Sequence, residues 1–152
     1  MGSLPIIGRI RIRREQKSLT FTGAAGLGAI GTFALFTVTG EVLIVALVPF
    51  CTVDVGVDAG TFVASMQLGV TGATNLLIAT TPAADIDANE FWVDSTPDAN
   101  GVAVPAGLKD IAITADITGE VTSTGTQKVN AGTIRFDLYW LPLSSDGLVV
   151  PA

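Results

Sequence analysis

Three groups of residues in this chain have types and spacings that could do chemistry. The first is acidic. Asp85, Asp87 and Asn89 stand at the first, third and fifth positions of a calcium-type loop, with Glu90 beside them. That loop needs Gly at its sixth position and Glu at its twelfth, where this chain has Glu90 and Thr96. An EF-hand is not expected, nor is a bound metal. The stretch reads as a solvated loop anchored by Phe91, Trp92 and Val93, with a looser oxygen-ligand site on Asp85, Asp87 and Glu90 as the alternative. The second group, Gly26-Leu27-Gly28-Ala29-Ile30-Gly31, fits the dinucleotide pattern G-x-G-x-x-G. That pattern works when a helix follows and turns its N-terminus to the pyrophosphate. Here the strand-like TFALFTVTG follows, and Glu41 and Asp54 straddle the place, about 20 positions on, where a ribose-binding carboxylate belongs. No cofactor is expected; the glycines read as tight turns or close packing between chains.

The third group is basic. Arg9, Ile10, Arg11, Ile12 and Arg13 alternate, followed by Arg14 and Lys17. In an extended chain Arg9, Arg11 and Arg13 share one face and Ile10 and Ile12 the other. This suits a partner-binding arm laid along an acidic surface that has an apolar groove or a free strand edge; a solvated terminus is the alternative. Residues 1–17 hold five basic and one acidic side chain, a net of +4, and the other 135 hold three basic and thirteen acidic, a net of −10. The acidic body is one candidate partner for the arm, and an acidic neighbouring protein is another. Nucleic acid is not expected, because the body would be repelled from a duplex.

Scarcity excludes much catalysis. The chain has no histidine and one cysteine, Cys51, so zinc sites of the Cys/His kind, His-assisted nucleophiles and intrachain disulfides are absent. Cys51, within Pro-Phe-Cys-Thr-Val, reads as a small buried hydrophobe. Paired carboxylates could serve a glycosidase, but sugar clefts need aromatics, and outside its phenylalanines the chain has Trp92, Trp140 and Tyr139. An enzyme is not expected.

The elements that position these groups are strands. Residues 42–48, VLIVALV, are seven apolar residues in a row, rich in β-branched types, which marks a central strand covered on both faces. A second sheet would cover one face and another subunit the other, and Pro49 marks where pairing ends or bulges. Further strands are read as a short one at the start of 18–31, then at about 32–39, 61–70, 75–82 and 109–122. The last, 133–143, places Ile134, Phe136, Leu138 and Trp140 on one face and Arg135, Asp137 and Tyr139 on the other. With about eight strands and no 3.6-residue period, the fold class is all-β, an antiparallel β-sandwich, jelly-roll-like, with two four-stranded sheets. Residues 1–17 form the extended N-terminal arm and 18–152 the sandwich domain, whose short C-terminal tail lies extended across a neighbour.

Charged residues make up 14% of the chain and apolar residues 49%, against roughly 25% charged in an average soluble domain. Oligomerisation would hide such a surface. A membrane span is not expected, because the best window, 30–53, has Glu41 near its centre. A secretory leader does not fit either: a Gly-rich segment, not a compact apolar one, follows the basic group.

The stretches SLTFTGAAGLGAIGTFALFTVTGEVLIVALVPFCTVDV, ATNLLIATTPAADIDANEFWVD and IRFDLYWLPLSSDG together resemble small all-β structural proteins of tailed bacteriophage virions, over roughly residues 18–147. The resemblance implies a capsid decoration (cement) protein that forms trimers, binds the viral major capsid protein or another virion protein, and sits on the capsid exterior after synthesis in the host cytoplasm. A glycan- or receptor-binding module of a head fibre or tail is the alternative; it would present an exposed aromatic cleft around Trp92 or Tyr139.

Overall fold

A computed structural model describes residues 11–152. Among them, the strands run β1 (Arg13–Thr20), β2 (Gly31–Thr39), β3 (Val42–Val57), β4 (Ser65–Val70), β5 (Ala73–Pro82), β6 (Glu90–Phe91), β7 (Asp98–Ala99), β8 (Lys109–Ile113), β9 (Ile117–Thr122), β10 (Val129–Pro142) and β11 (Leu148–Pro151). They form two antiparallel sheets. Setting aside the two-residue strands β6 and β7 and the added edge strand β11, the orders are β1-β10-β3-β8 and β2-β9-β4-β5. The chain crosses repeatedly from one sheet to the other, which makes this a jelly-roll sandwich.

The core lies between the sheets and follows the period-2 patterns of the longest strands. On β10, Ile134, Phe136, Leu138 and Trp140 are buried in the core. On β3, Val42, Ile44, Leu47 and Cys51 are fully buried, while Leu43, Val45, Ala46, Val48 and Phe50 are half-buried on the outer face. Both faces of β3 are therefore apolar, but the strand runs nine residues past the expected end, through Pro49 to Val57. On one side Pro49 pairs with Phe136 of β10; on the other, β3 changes neighbour from β8, opposite Val42–Ala46, to β6, opposite Phe50. The proline falls where no ladder partner needs its missing donor. Its carbonyl accepts the Trp92 amide at 3.1 Å.

Several boundaries differ from the sequence reading. Residues 109–122 form two strands in different sheets: β8 pairs with β3, and β9 lies between β2 and β4. Thr114 to Asp116 make the crossing, held by the Asp116 carboxylate on the Val38 amide at 2.8 Å and by the Asp116 carbonyl on the Thr71 amide at 3.0 Å. Strand 61–70 begins only at Ser65, leaving Phe62 half-exposed. The sandwich starts at Arg13, so residues 13–17 of the expected arm belong to the body. The C-terminal tail, read as lying across a neighbour, pairs with its own chain. It forms β11 on the open edge of β2, with Val149 in the core, and so satisfies backbone groups that β2 would otherwise expose.

Cys51 is fully buried on β3, its Sγ directed at the Val53 carbonyl at 3.1 Å. Burial pushes its thiol up to about 11 from an ordinary value of 9.0. The unfolded chain ionises first, so the native state holds the proton more tightly, and this contribution to stability is lost as pH rises from about 9 to about 11. Unfolding by urea should show a loss over that window of roughly 2–3 kcal/mol that Cys51→Ala abolishes. At pH 8 the native thiol should resist a disulfide reagent that modifies the unfolded chain within seconds.

Candidate functional site

Of the arm residues singled out in the sequence, Arg9 and Ile10 lie outside the described residues. Arg11 and Ile12 precede β1 and are exposed. From Arg13 onward the segment is added as a strand to β10 of its own chain, in the register Arg13↔Trp140 to Thr20↔Thr133. The register gives each residue its side. Arg13, Glu15, Lys17 and Leu19 lie in the row that faces the opposite sheet; Arg14, Gln16, Ser18 and Thr20 lie on the outer face. The Arg13 guanidinium stands 5.2 Å from the centre of the Trp140 ring. Lys17 Nζ donates to the Ala152 carbonyl, tying β1 to the end of β11 across the edge of the sandwich.

Arg14 pairs with an acidic residue of its own chain. Its Nη2 donates to Asp137 Oδ1 at 2.6 Å, and Arg135 Nε donates to Asp137 Oδ2 at 2.8 Å. Asp137 is 7% exposed, and its hydrogen bond and charge hold the Arg14 pKa above the ordinary value. Asp137 was legible only as a member of the outward row of β10; nothing in the sequence paired it with Arg14.

The outer faces of the two sheets differ in chemistry. On the second sheet, Thr32, Ala34, Thr37 and Thr39 of β2, Thr118 and Glu120 of β9, and Gln67 of β4 point outward. Gln67 is bonded to Glu120 at 2.7 Å, to Thr74 at 2.9 Å and to Thr80 at 2.7 Å. The β2, β9 and β4 part of this face is polar, and at its edge Leu148 and Val150 of β11, opposite Thr39 and Thr37, are exposed. On the first sheet the outward row of β3 is Leu43, Ala46, Val48 and Phe50, flanked by Tyr139 and Leu141 of β10 and by Phe91 of β6. Phe50 and Phe91 pack edge to face with centroids 4.9 Å apart, and the Arg135 guanidinium lies 5.3 Å from the Phe50 centroid. An apolar stripe thus crosses this face beside the Arg14–Asp137–Arg135 cluster.

A cavity of about 430 Å³ opens at one end of the sandwich, on its β5/β8 side. Its lining is largely aliphatic: Val70, Leu76, Ile113 and Leu143, with Ala112 and Ala115. Glu41 and Thr114 add polar atoms. The Glu41 backbone is fixed, its amide donating to Ser144 Oγ at 2.8 Å and its carbonyl accepting from Leu143 at 2.8 Å. Its carboxylate makes no hydrogen bond or ion pair among the described residues. No sequence pattern announces this cavity, because its lining comes from five separate segments.

The other two groups are occupied by the fold. In the acidic stretch the Glu90 carboxylate accepts the Asp87 amide at 3.1 Å and Asp54 accepts the Ala88 amide at 2.6 Å. No three metal-ligating side chains converge among the described residues. Trp92 and Val93 are in the core, and Phe91 is half-buried. Trp92 is fully buried and cannot line an exposed aromatic cleft, which corrects that part of the sequence reading; Tyr139 is 36% exposed. In the glycine loop, the Leu27 and Ala29 amides both donate to the Ala24 carbonyl and the Gly23 amide to Leu27. Those donors are therefore not free to cradle a phosphate, and β2, not a helix, follows.

Among the described residues no helix is long and apolar enough to cross a membrane. No protein-family model matches the chain, and neither a curated protein nor a solved structure matches it.

Proposed function

We propose that this chain is a structural assembly protein, a virion component of the decoration (cement) type that oligomerises, with a trimer favoured, and binds the lattice of a major capsid protein on the capsid exterior. One observation carries the reading: the two outer faces are unlike, threonine-rich on the second sheet and aliphatic and aromatic along β3 on the first. An exposed antiparallel sheet face that is not an interface reads polar, as the β2, β9 and β4 part of the second one does. A contiguous apolar stripe marks a surface that another protein covers. The assignment to a virion rests on the sequence resemblance, which the jelly-roll fold accommodates without singling out. The glycan- or receptor-binding alternative draws its support from Tyr139, half-exposed between Arg14 and the β3 stripe.

The test is the mass of the protein in solution. Sedimentation at micromolar concentration should give a homo-oligomer, with interfaces burying well above ~1,000 Å² each. Val48→Lys should yield a folded monomer with unchanged circular dichroism, because Val48 lies on the outer row and not in the core. A monodisperse monomer for the unaltered chain would overturn the self-association part of the reading.

A further inference from the structure

We propose that the cavity beside β8 receives the N-terminal segment of a second copy of this chain, with Ile10 and Ile12 entering its aliphatic interior and Arg9 or Arg11 meeting Glu41. This rests on the assembly reading above and adds, to the contact through the β3 stripe, a second contact between copies. The argument starts from register. Arg13 lies opposite Trp140, Trp140 opposite Ile44, and Ile44 opposite Ile111, so these four residues stand at one level across the first sheet. One step further along, Leu141, Leu43 and Ala112 are aligned, and then Pro142, Val42 and Ile113. The chain preceding Arg13 therefore leaves the sandwich at the level where Ala112 and Ile113 line the cavity.

Departure point and cavity lie on opposite lateral edges of that sheet, β1 on one and β8 on the other. Three interstrand steps separate them, about 14 Å. The exposed Arg11 and Ile12 on one edge and a receiving cavity at the same level on the opposite edge suit a head-to-tail contact, the kind that closes into a ring when the rotation allows. The cavity of the segment's own chain lies those three strand spacings away, across the whole width of the sheet.

The chemistry of the two surfaces is complementary. The cavity volume falls at the small end of ligand-sized pockets, ~300–1,000 Å³, and suits aliphatic side chains. Leu76 and Leu143, about half exposed, would be covered. The Glu41 carboxylate, unpaired among the described residues, offers one anionic partner, and Asp146, held by Ser144 Oγ at 2.7 Å, lies beside the same turn. One side of β8 pairs with β3, and the other pairs with no strand among the described residues. Its far end is blunted by Lys109 and by Asp110 at φ 57°, a kink that discourages pairing there and leaves Ile111 to Ala115 as the accessible stretch. An alternating Arg-Ile segment added to that stretch turns its isoleucines to one side and its arginines to the other.

Two singly substituted proteins separate the outcomes. Ile10→Cys and Leu76→Cys, mixed in equal amounts under mild oxidation, can cross-link to each other only between chains. Cys51 is fully buried and does not compete. The expected result is a heterodimer band several-fold stronger than the homodimer of either variant alone, with the doubly substituted chain giving ladders up to the oligomer. Glu41→Arg should weaken association roughly tenfold, with a smaller effect of added salt than on the unaltered protein. If the doubly substituted chain closes only on itself, the occupant is the chain's own segment and the proposal is wrong. If no cross-link forms while sedimentation still gives an oligomer, the arm contact fails and the assembly reading stands. A monomer throughout, with no cross-link, removes both.

Discussion

Trp92→Ala is expected to destabilise the protein by about 3–5 kcal/mol, lowering the urea midpoint at unchanged slope and the melting temperature by roughly 10 °C. The indole is fully buried and follows β6 of the first sheet, yet its Nε1 donates to Thr81 Oγ1, on β5 of the second sheet, at 2.9 Å. Thr81 is itself fully buried and passes the bond on, its hydroxyl donating to the Ala79 carbonyl at 3.0 Å. One side chain thus fills core volume, links the two sheets, and anchors the loop that carries Asp85, Asp87 and Glu90. Truncation would leave a cavity and remove a bond in the same step. Trp92→Phe keeps most of the volume and loses the donor, so it should cost about 1–2 kcal/mol. Thr81→Val keeps the ring and strands its N–H, at about 1–3 kcal/mol. If Trp92→Ala cost less than Trp92→Phe, the ring would not be a core element. The same burial bears on function, because a loss of any binding activity in Trp92→Ala would report damage to the core and not a missing contact.

Strong alternation made the fold legible. β10 could be read residue by residue because its inward row is Ile, Phe, Leu and Trp and its outward row is mostly polar, and both faces of β3 could be read as apolar because no polar residue interrupts Val42–Val48. What could not be read depended on partners distant in sequence. Ile111, Ile113, Ala115 and Ile117 keep one period through 109–122, so nothing local shows that Thr114 to Asp116 carry the chain from one sheet to the other. The tail Leu-Val-Val-Pro is too short for a pattern, and only the open edge of β2 makes it a strand. The basic segment was legible as an extended chain seeking acid. That part of it, from Arg13, would add to β10 of its own chain depended on where Asp137 lies in the fold, 123 residues after its partner Arg14. The end cavity was illegible for the same reason: Glu41, Val70, Leu76, Ile113 and Leu143 share no pattern until the sandwich brings their segments together.

Within the glycine-rich loop, Gly28→Ala is expected to cost about 2–5 kcal/mol and Gly26→Ala only about 1 kcal/mol, although the two glycines stand two residues apart in one motif. Both have positive φ, +72° at Gly26 and +111° at Gly28, so each substitution strains the backbone. Their surroundings differ. A Cβ on Gly26 would meet nothing within 4 Å, whereas a Cβ on Gly28 would lie 1.9 Å from the Val129 carbonyl oxygen and 2.9 Å from its carbon. These are backbone atoms at the start of β10 and cannot swing aside as a flexible side chain would. The Gly28 carbonyl also accepts the Val129 amide at 2.9 Å, and Val129 is fully buried, so a displaced loop leaves a donor unpaired in the core. Close packing within one chain thus accounts for Gly28, and positive φ alone for Gly26 and Gly31. Equilibrium unfolding of the two variants side by side checks this, since strain alone predicts similar losses and the backbone contact predicts a gap of at least about 1 kcal/mol. Equal losses would mean that the loop moves freely away from Val129, and the close approach would not be what holds it.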